Sequence, residues 1–83
     1  MSKEIKKGFC LVDSWGNLHC LDQEMSEEIA ELQRETFVAD LGLVVNVFAV
    51  EVNEDAWDSA LTLIENDRKV EAWQTILAEG RVL

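Results

Sequence analysis

The spacing of apolar residues changes period along the chain, and each change predicts an element. Gly8-Phe9-Cys10-Leu11-Val12-Asp13 and Leu18-His19-Cys20-Leu21-Asp22 are short apolar runs on either side of Ser14-Trp15-Gly16-Asn17. Gly and Asn both tolerate positive φ, so this is a β-hairpin pattern. A two-residue turn at Gly16-Asn17 would set Trp15 beside Leu18, whereas a longer loop would expose the indole. Met25, Ile29, Leu32 and Thr36 then recur at the helical period and predict a helix from about Gln23 to Asp40. Asp22 or Ser26 is suited to cap its start and Gly42 to end it.

The stretch Leu43–Val52 is rich in β-branched residues and apolar on both faces, the pattern of a central or doubly covered strand. Asn53 is placed to cap a second helix, with Glu54 and Asp55 at the positive end of its dipole and Trp57, Ala60, Leu61 and Ile64 as its buried stripe. A third helix, about Arg68 to Glu79, is expected to bury Val70, Trp73, Ile76 and Leu77 and to stop at Gly80. On one straight helix these two stripes would face nearly opposite ways, so a break is expected at Asn66-Asp67. The predicted architecture is a small single α+β domain: a β-hairpin, then α-β-α-α, with helices packed on a three-stranded, mostly antiparallel sheet.

Length permits one domain, read as a flexible basic arm over residues 1–7 and a compact acidic body over 8–83. With 48% hydrophobic residues and three Trp, the chain has the composition of a folded protein despite its charge. The N-terminus lacks a signal-peptide pattern and no run is long enough to span a membrane, so a cytoplasmic location with Cys10 and Cys20 as free thiols is expected.

Charge sharpens the picture. The formal net charge is -10 on 83 residues, and Arg34 is the sole Lys or Arg among fourteen carboxylates from Asp13 to Asp67. Such a field disfavours nucleic acid and anionic membranes as direct partners and favours basic proteins. Glu24, Glu28, Glu31 and Glu35 fall at i, i+4, i+7 and i+11, with Glu27 beside them. On a helix this row spans about 16 Å, a carboxylate every three to four ångströms, close to the ~3.4 Å spacing of phosphates along one DNA strand. Glu54, Asp55, Asp58 and Glu65 add a second row. Arg34 is poorly spaced to neutralise Glu31 or Glu35, so like charges are expected to stay uncompensated. A soluble surface alone would mix signs, although any amphipathic helix needs a solvated face.

Trp15, at the hairpin tip, is the candidate exposed anchor, and Trp57 and Trp73 are expected in the core. His19, Cys10 and Cys20 match no zinc spacing, and His19 and Cys20 are expected on opposite strand faces. No cofactor, metal or catalytic motif is present, and an enzyme is not expected. The expectation is a small acidic inhibitor, monomeric or homodimeric, that occupies the basic surface of a nucleic-acid-binding protein or nuclease. Phage and mobile-element anti-defence proteins, such as anti-CRISPR proteins and nuclease inhibitors, share this size and charge. The alternative is a homodimeric structural or adaptor protein whose acidity serves solubility.

Overall fold

Alternate residues of the central strands feed two separate hydrophobic clusters, and this dictates the architecture. In the computed structural model, which describes residues 4–83, the elements are β1 (Ile5–Asp13), β2 (Leu18–Asp22), α1 (Glu27–Leu41), β3 (Val45–Asn53), α2 (Glu54–Glu65), α3 (Lys69–Glu79) and β4 (Gly80–Val82). The strands form one antiparallel sheet in the order β2-β1-β3-β4. Cys10, Val12, Val50 and Val52 pack with Trp57, Ala60, Ala72 and Ile76 from α2 and α3. Leu11 and Val45 pack with Met25 and Ala30, joined by Phe9, Phe37 and Val47. Side chains alternate across a strand, so α1 covers one face of the sheet and α2 with α3 cover the other. The result is a compact single α+β domain with three helices, and β3 is the doubly covered strand that its sequence predicts.

Several local devices act as their sequences imply. The Asn53 side chain accepts a 2.9 Å hydrogen bond from the Ala56 backbone N–H and so caps α2. Gly42 closes α1 in the left-handed conformation, φ 64°, with its N–H on the carbonyls of Phe37 and Val38. The chain breaks after Glu65, with Asp67 at φ 59° and the Arg68 N–H on the Leu63 carbonyl at 2.8 Å. Trp57 is buried, and Trp73 is half-buried with its ring stacked on Phe48 at 5.4 Å.

Four features depart from expectation. The sheet has a fourth strand: Gly80, Arg81 and Val82 pair with Val52, Glu51 and Val50. β1 begins at Ile5, so Lys6 and Lys7 are strand residues instead of part of a flexible arm; residues 1–3 lie outside the described residues. Pairing with β3 holds them there, Lys6 opposite Val52 and Lys7 opposite Glu51. Lys7 and Arg81 flank Glu51 at 3.6 Å and 2.7 Å, and Lys6 reaches Asp58 at 3.7 Å.

α1 starts at Glu27, four residues later than predicted. Asp22 takes the Glu24 N–H at 2.8 Å, which curls residues 22–24 into a turn and leaves Ser26 to cap the helix through the Ile29 N–H. The predicted apolar stripe is also not the buried one. Met25 enters the core from the turn, the helix docks through Ala30 and Phe37, and Ile29, Leu32 and Thr36 face outward. Likewise α3 buries Ala72 and Ile76, while Val70 and Leu77 remain exposed. Ala72 is small enough to bring α3 close to the sheet and α2, and this choice turns the Val70–Leu77 edge away.

Candidate functional site

The outward side of α1 combines carboxylates with exposed apolar side chains. Ser26 fixes the helix start, which places Glu27 and Glu28 in the first turn, and Glu31 and Glu35 continue along the same side. Leu32, 62% exposed, shares a shallow surface depression with Glu27, Glu28, Glu31 and Glu35. Arg34 does pair with Glu31, contrary to the spacing argument: its Nε donates to Oε2 at 2.8 Å. Residues at i and i+3 are neighbours on a helix surface, so the pair is within reach. Among the described residues no cation pairs with Glu27, Glu28 or Glu35.

The remaining cations among the described residues are also committed locally. Arg68 binds Glu71 through two nitrogens, and Lys69 approaches Asp67 at 3.5 Å. Lys6, Lys7 and Arg81 hold the sheet pairs already described. Exposed pairs of this kind contribute little to stability. Their effect here is spatial, since they leave the outward face of α1 negative.

The second predicted row is on the other side of the molecule. Glu54, Asp55, Asp58 and Glu65 belong to α2, which packs on the sheet face opposite α1. Asp58 is partly neutralised by Lys6. Glu24 is off the helix, in the turn that precedes it. The acidic residues singled out in the sequence are therefore two back-to-back patches with Glu24 at the margin of one. A flat partner surface can engage either, but not both.

Trp15 sits in the longer of the two loops considered, and its side chain is 78% exposed. Asp13 builds that loop. Its Oδ1 accepts from the backbone N–H groups of Trp15 and Asn17, both at 2.9 Å, and its Oδ2 from Asn17 Nδ2 and His19 Nε2, also at 2.9 Å. Burial alone would raise the Asp13 pKa, but the His19 bond, with those from Asn17 and Trp15, lowers it to about 2. Sequence reasoning passed over Asp13, although an Asp ahead of a Gly-Asn turn is a recognised loop organiser.

The β1–β2 register slips after Leu11, where Leu11 faces Cys20 but Val12 faces Leu18, leaving His19 as the extra residue of a β-bulge. The bulge overturns the expectation that His19 and Cys20 point to opposite faces. Both meet α1: the His19 ring lies 5.4 Å from Phe37, and the Cys20 thiol donates to Gln33 Oε1 at 3.3 Å. Cys10 and Cys20 are free and belong to clusters on opposite sheet faces. Burial, reinforced by the charge of Asp22, raises the Cys20 pKa, which is the reverse of nucleophile activation.

Among the described residues no group of three or more His, Cys, Asp or Glu is placed to hold a metal ion, and no helix is long and apolar enough to cross a membrane. Compared with protein-family models, curated proteins and solved structures, the chain matches none.

Proposed function

We propose that this protein is a small acidic inhibitor, acting in the cytoplasm, that occupies the basic surface of a nucleic-acid-binding protein or nuclease in the manner of phage anti-defence proteins. The observation that carries the reading is the outward face of α1, where Glu27, Glu28 and Glu35 have no cationic partner among the described residues: Arg34 is paired with Glu31, and the other described Lys and Arg are paired away from α1. Like-charge neighbours at i,i+4 cost a helix a few tenths of a kcal/mol each, so an arrangement kept for solubility alone has a cheaper alternative in mixed charge. Long-range attraction would steer the partner, and Trp15 or the apolar residues of α1 would supply short-range energy. No catalytic step is assigned to it.

The test has two stages. The protein is used as bait in a lysate at low and high salt, beside the variant E27K/E28K/E35K. Captured proteins are then titrated with nucleic acid in the presence of the bait. Capture that fails for the variant, weakens with salt and displaces nucleic acid supports the proposal. A captured partner that keeps its nucleic acid, or a capture indifferent to the reversal, rejects it.

The exposed apolar residues Ile29, Leu32, Leu41 and Val44 favour a second reading, a homodimeric adaptor. Sedimentation separates the two, because a dimer that covers the α1 glutamates leaves nothing for a basic partner.

A further inference from the structure

We infer that the docking surface is the outward face of α1 alone and that its partner element is a cationic amphipathic helix laid along it. The inference rests on the preceding reading that the acidic face is recognised, and it adds the shape and chemistry of what recognises it.

Ile29, Leu32 and Thr36 form a seam at i, i+3 and i+7, about a quarter-turn or more around α1 from the Ala30–Phe37 side that meets the sheet. Ile29 is 47% exposed and Leu32 is 62% exposed. Thr36 donates its hydroxyl to the Leu32 carbonyl at 3.0 Å, so its polar group is already used by the helix. Nothing within the described chain covers this seam.

Its length is set by helix geometry. Ile29 to Thr36 is seven residues, or about 10 Å along the axis. Glu28 and Glu35 are also seven residues apart and border the seam along the same two turns. Asp40 lies one turn beyond Thr36 on the opposite flank of the seam from Glu28 and Glu35. An apolar strip at this spacing accepts the ridge of another helix, and the carboxylates beside it select a helix whose polar flank carries Lys or Arg.

Charge decides among occupants. A second copy would bring two such acidic borders together on chains of formal charge -10. A groove lined only with Lys and Arg, built for phosphates, would set its cations against Ile29 and Leu32 and desolvate them unpaired. A helix with an apolar seam and a basic flank meets both kinds of group.

Two synthetic peptides serve as probes: an 18-residue amphipathic helix of Leu and Lys, and a Lys/Ser peptide of equal length and charge. Binding is followed by backbone NMR shifts of the intact protein. The expected result is that the Leu/Lys peptide binds with shifts confined to α1, and that the Lys/Ser peptide binds at least about tenfold more weakly, the scale of burying one or two apolar side chains. Leu32→Ser is expected to weaken the Leu/Lys peptide about tenfold, and E28Q/E35Q to weaken it and flatten its salt dependence. Equal binding of the two peptides would remove the seam from the account while leaving charge recognition standing. Shifts centred on α2 or Trp15, an unaffected Leu32→Ser, a dimer that buries α1, or no binding by either peptide would each overturn the inference. The nucleic-acid displacement assay decides the underlying reading independently.

Discussion

The imidazole of His19 lies 2.9 Å from the carboxylate of Asp13 and ties the extra residue of a β-bulge to the loop that presents Trp15. With the Asn17 and Trp15 bonds, this contact holds the Asp13 pKa at about 2 against the opposing effect of burial. An unfolded Asp titrates near ~3.9. A group whose folded pKa is depressed stabilises the fold fully above the unfolded value and loses that contribution as pH falls through the folded one. The Asp13 contribution, about 2–3 kcal/mol, is therefore present above about pH 4 and disappears toward pH 2. Urea denaturation of wild type and Asp13→Asn should show a gap that narrows over this range. A gap that is constant with pH would show that Asp13 is not the titrating group.

The two faces of α1 make opposite predictions for leucines. Leu11 is fully buried beneath α1, and Leu11→Ala should cost about 3–5 kcal/mol. Leu32→Ser, on the outward seam, should change stability by less than about 0.5 kcal/mol. Chemical denaturation measures both. A large loss for Leu32→Ser would mean that the sequence periodicity had identified the buried stripe after all.

That periodicity was the least informative signal in the chain. Met25, Ile29, Leu32 and Thr36 are spaced as regularly as any buried stripe, but spacing reports that a helix has an apolar side, not which side a sheet will cover. The bulge at His19 depends on how the hairpin closes against Leu11 and Val12, and the strand role of Lys6 and Lys7 on pairing with Val52 and Glu51 far along the chain. β4 is three residues long and gains its conformation from pairing with β3. Local chemistry was legible where its partner is also local. The Asn53 cap, the Gly42 stop, the break at Asn66-Asp67 and the two-faced character of β3 all follow from neighbouring residues. The candidate site was partly legible: the shared side of Glu27, Glu28, Glu31 and Glu35 on α1 was, whereas the exposure of Trp15 stayed open between two loop lengths and the separation of the α1 and α2 rows was not.

Gly8 lets the Trp57 indole lie directly over β1. A methyl group at this position would run into the Asp22 carbonyl oxygen and sit 2.7 Å from Trp57 Cη2. Gly8→Ala should therefore cost at least about 2 kcal/mol through overpacking. Thermal or urea unfolding tests this, and a neutral substitution would contradict the close packing of Trp57 on the strand.

The thiols should differ in accessibility. Burial pushes Cys10 up to about 12, and the Phe48 backbone hydrogen bond only partly offsets it. Cys20 is raised by burial as well, but it is half-buried beside Gln33. Maleimide labelling of the folded protein at pH 7, read by mass spectrometry, should modify Cys20 first and Cys10 only at the rate of unfolding. Prompt labelling of Cys10 would contradict the packing of the α2–α3 face.

The back-to-back placement of the acidic rows separates recognition from solubility. Each row has a member with a cationic partner, Glu31 with Arg34 on α1 and Asp58 with Lys6 on α2, but the α1 row is also bordered by an apolar seam. The deciding measurement is displacement of nucleic acid from the captured partner by three proteins: wild type, E27K/E28K/E35K on α1, and E54K/E65K on α2. The account predicts displacement by wild type and by the α2 variant, and none by the α1 variant although it remains folded. Displacement by the α1 variant at wild-type concentration would contradict it.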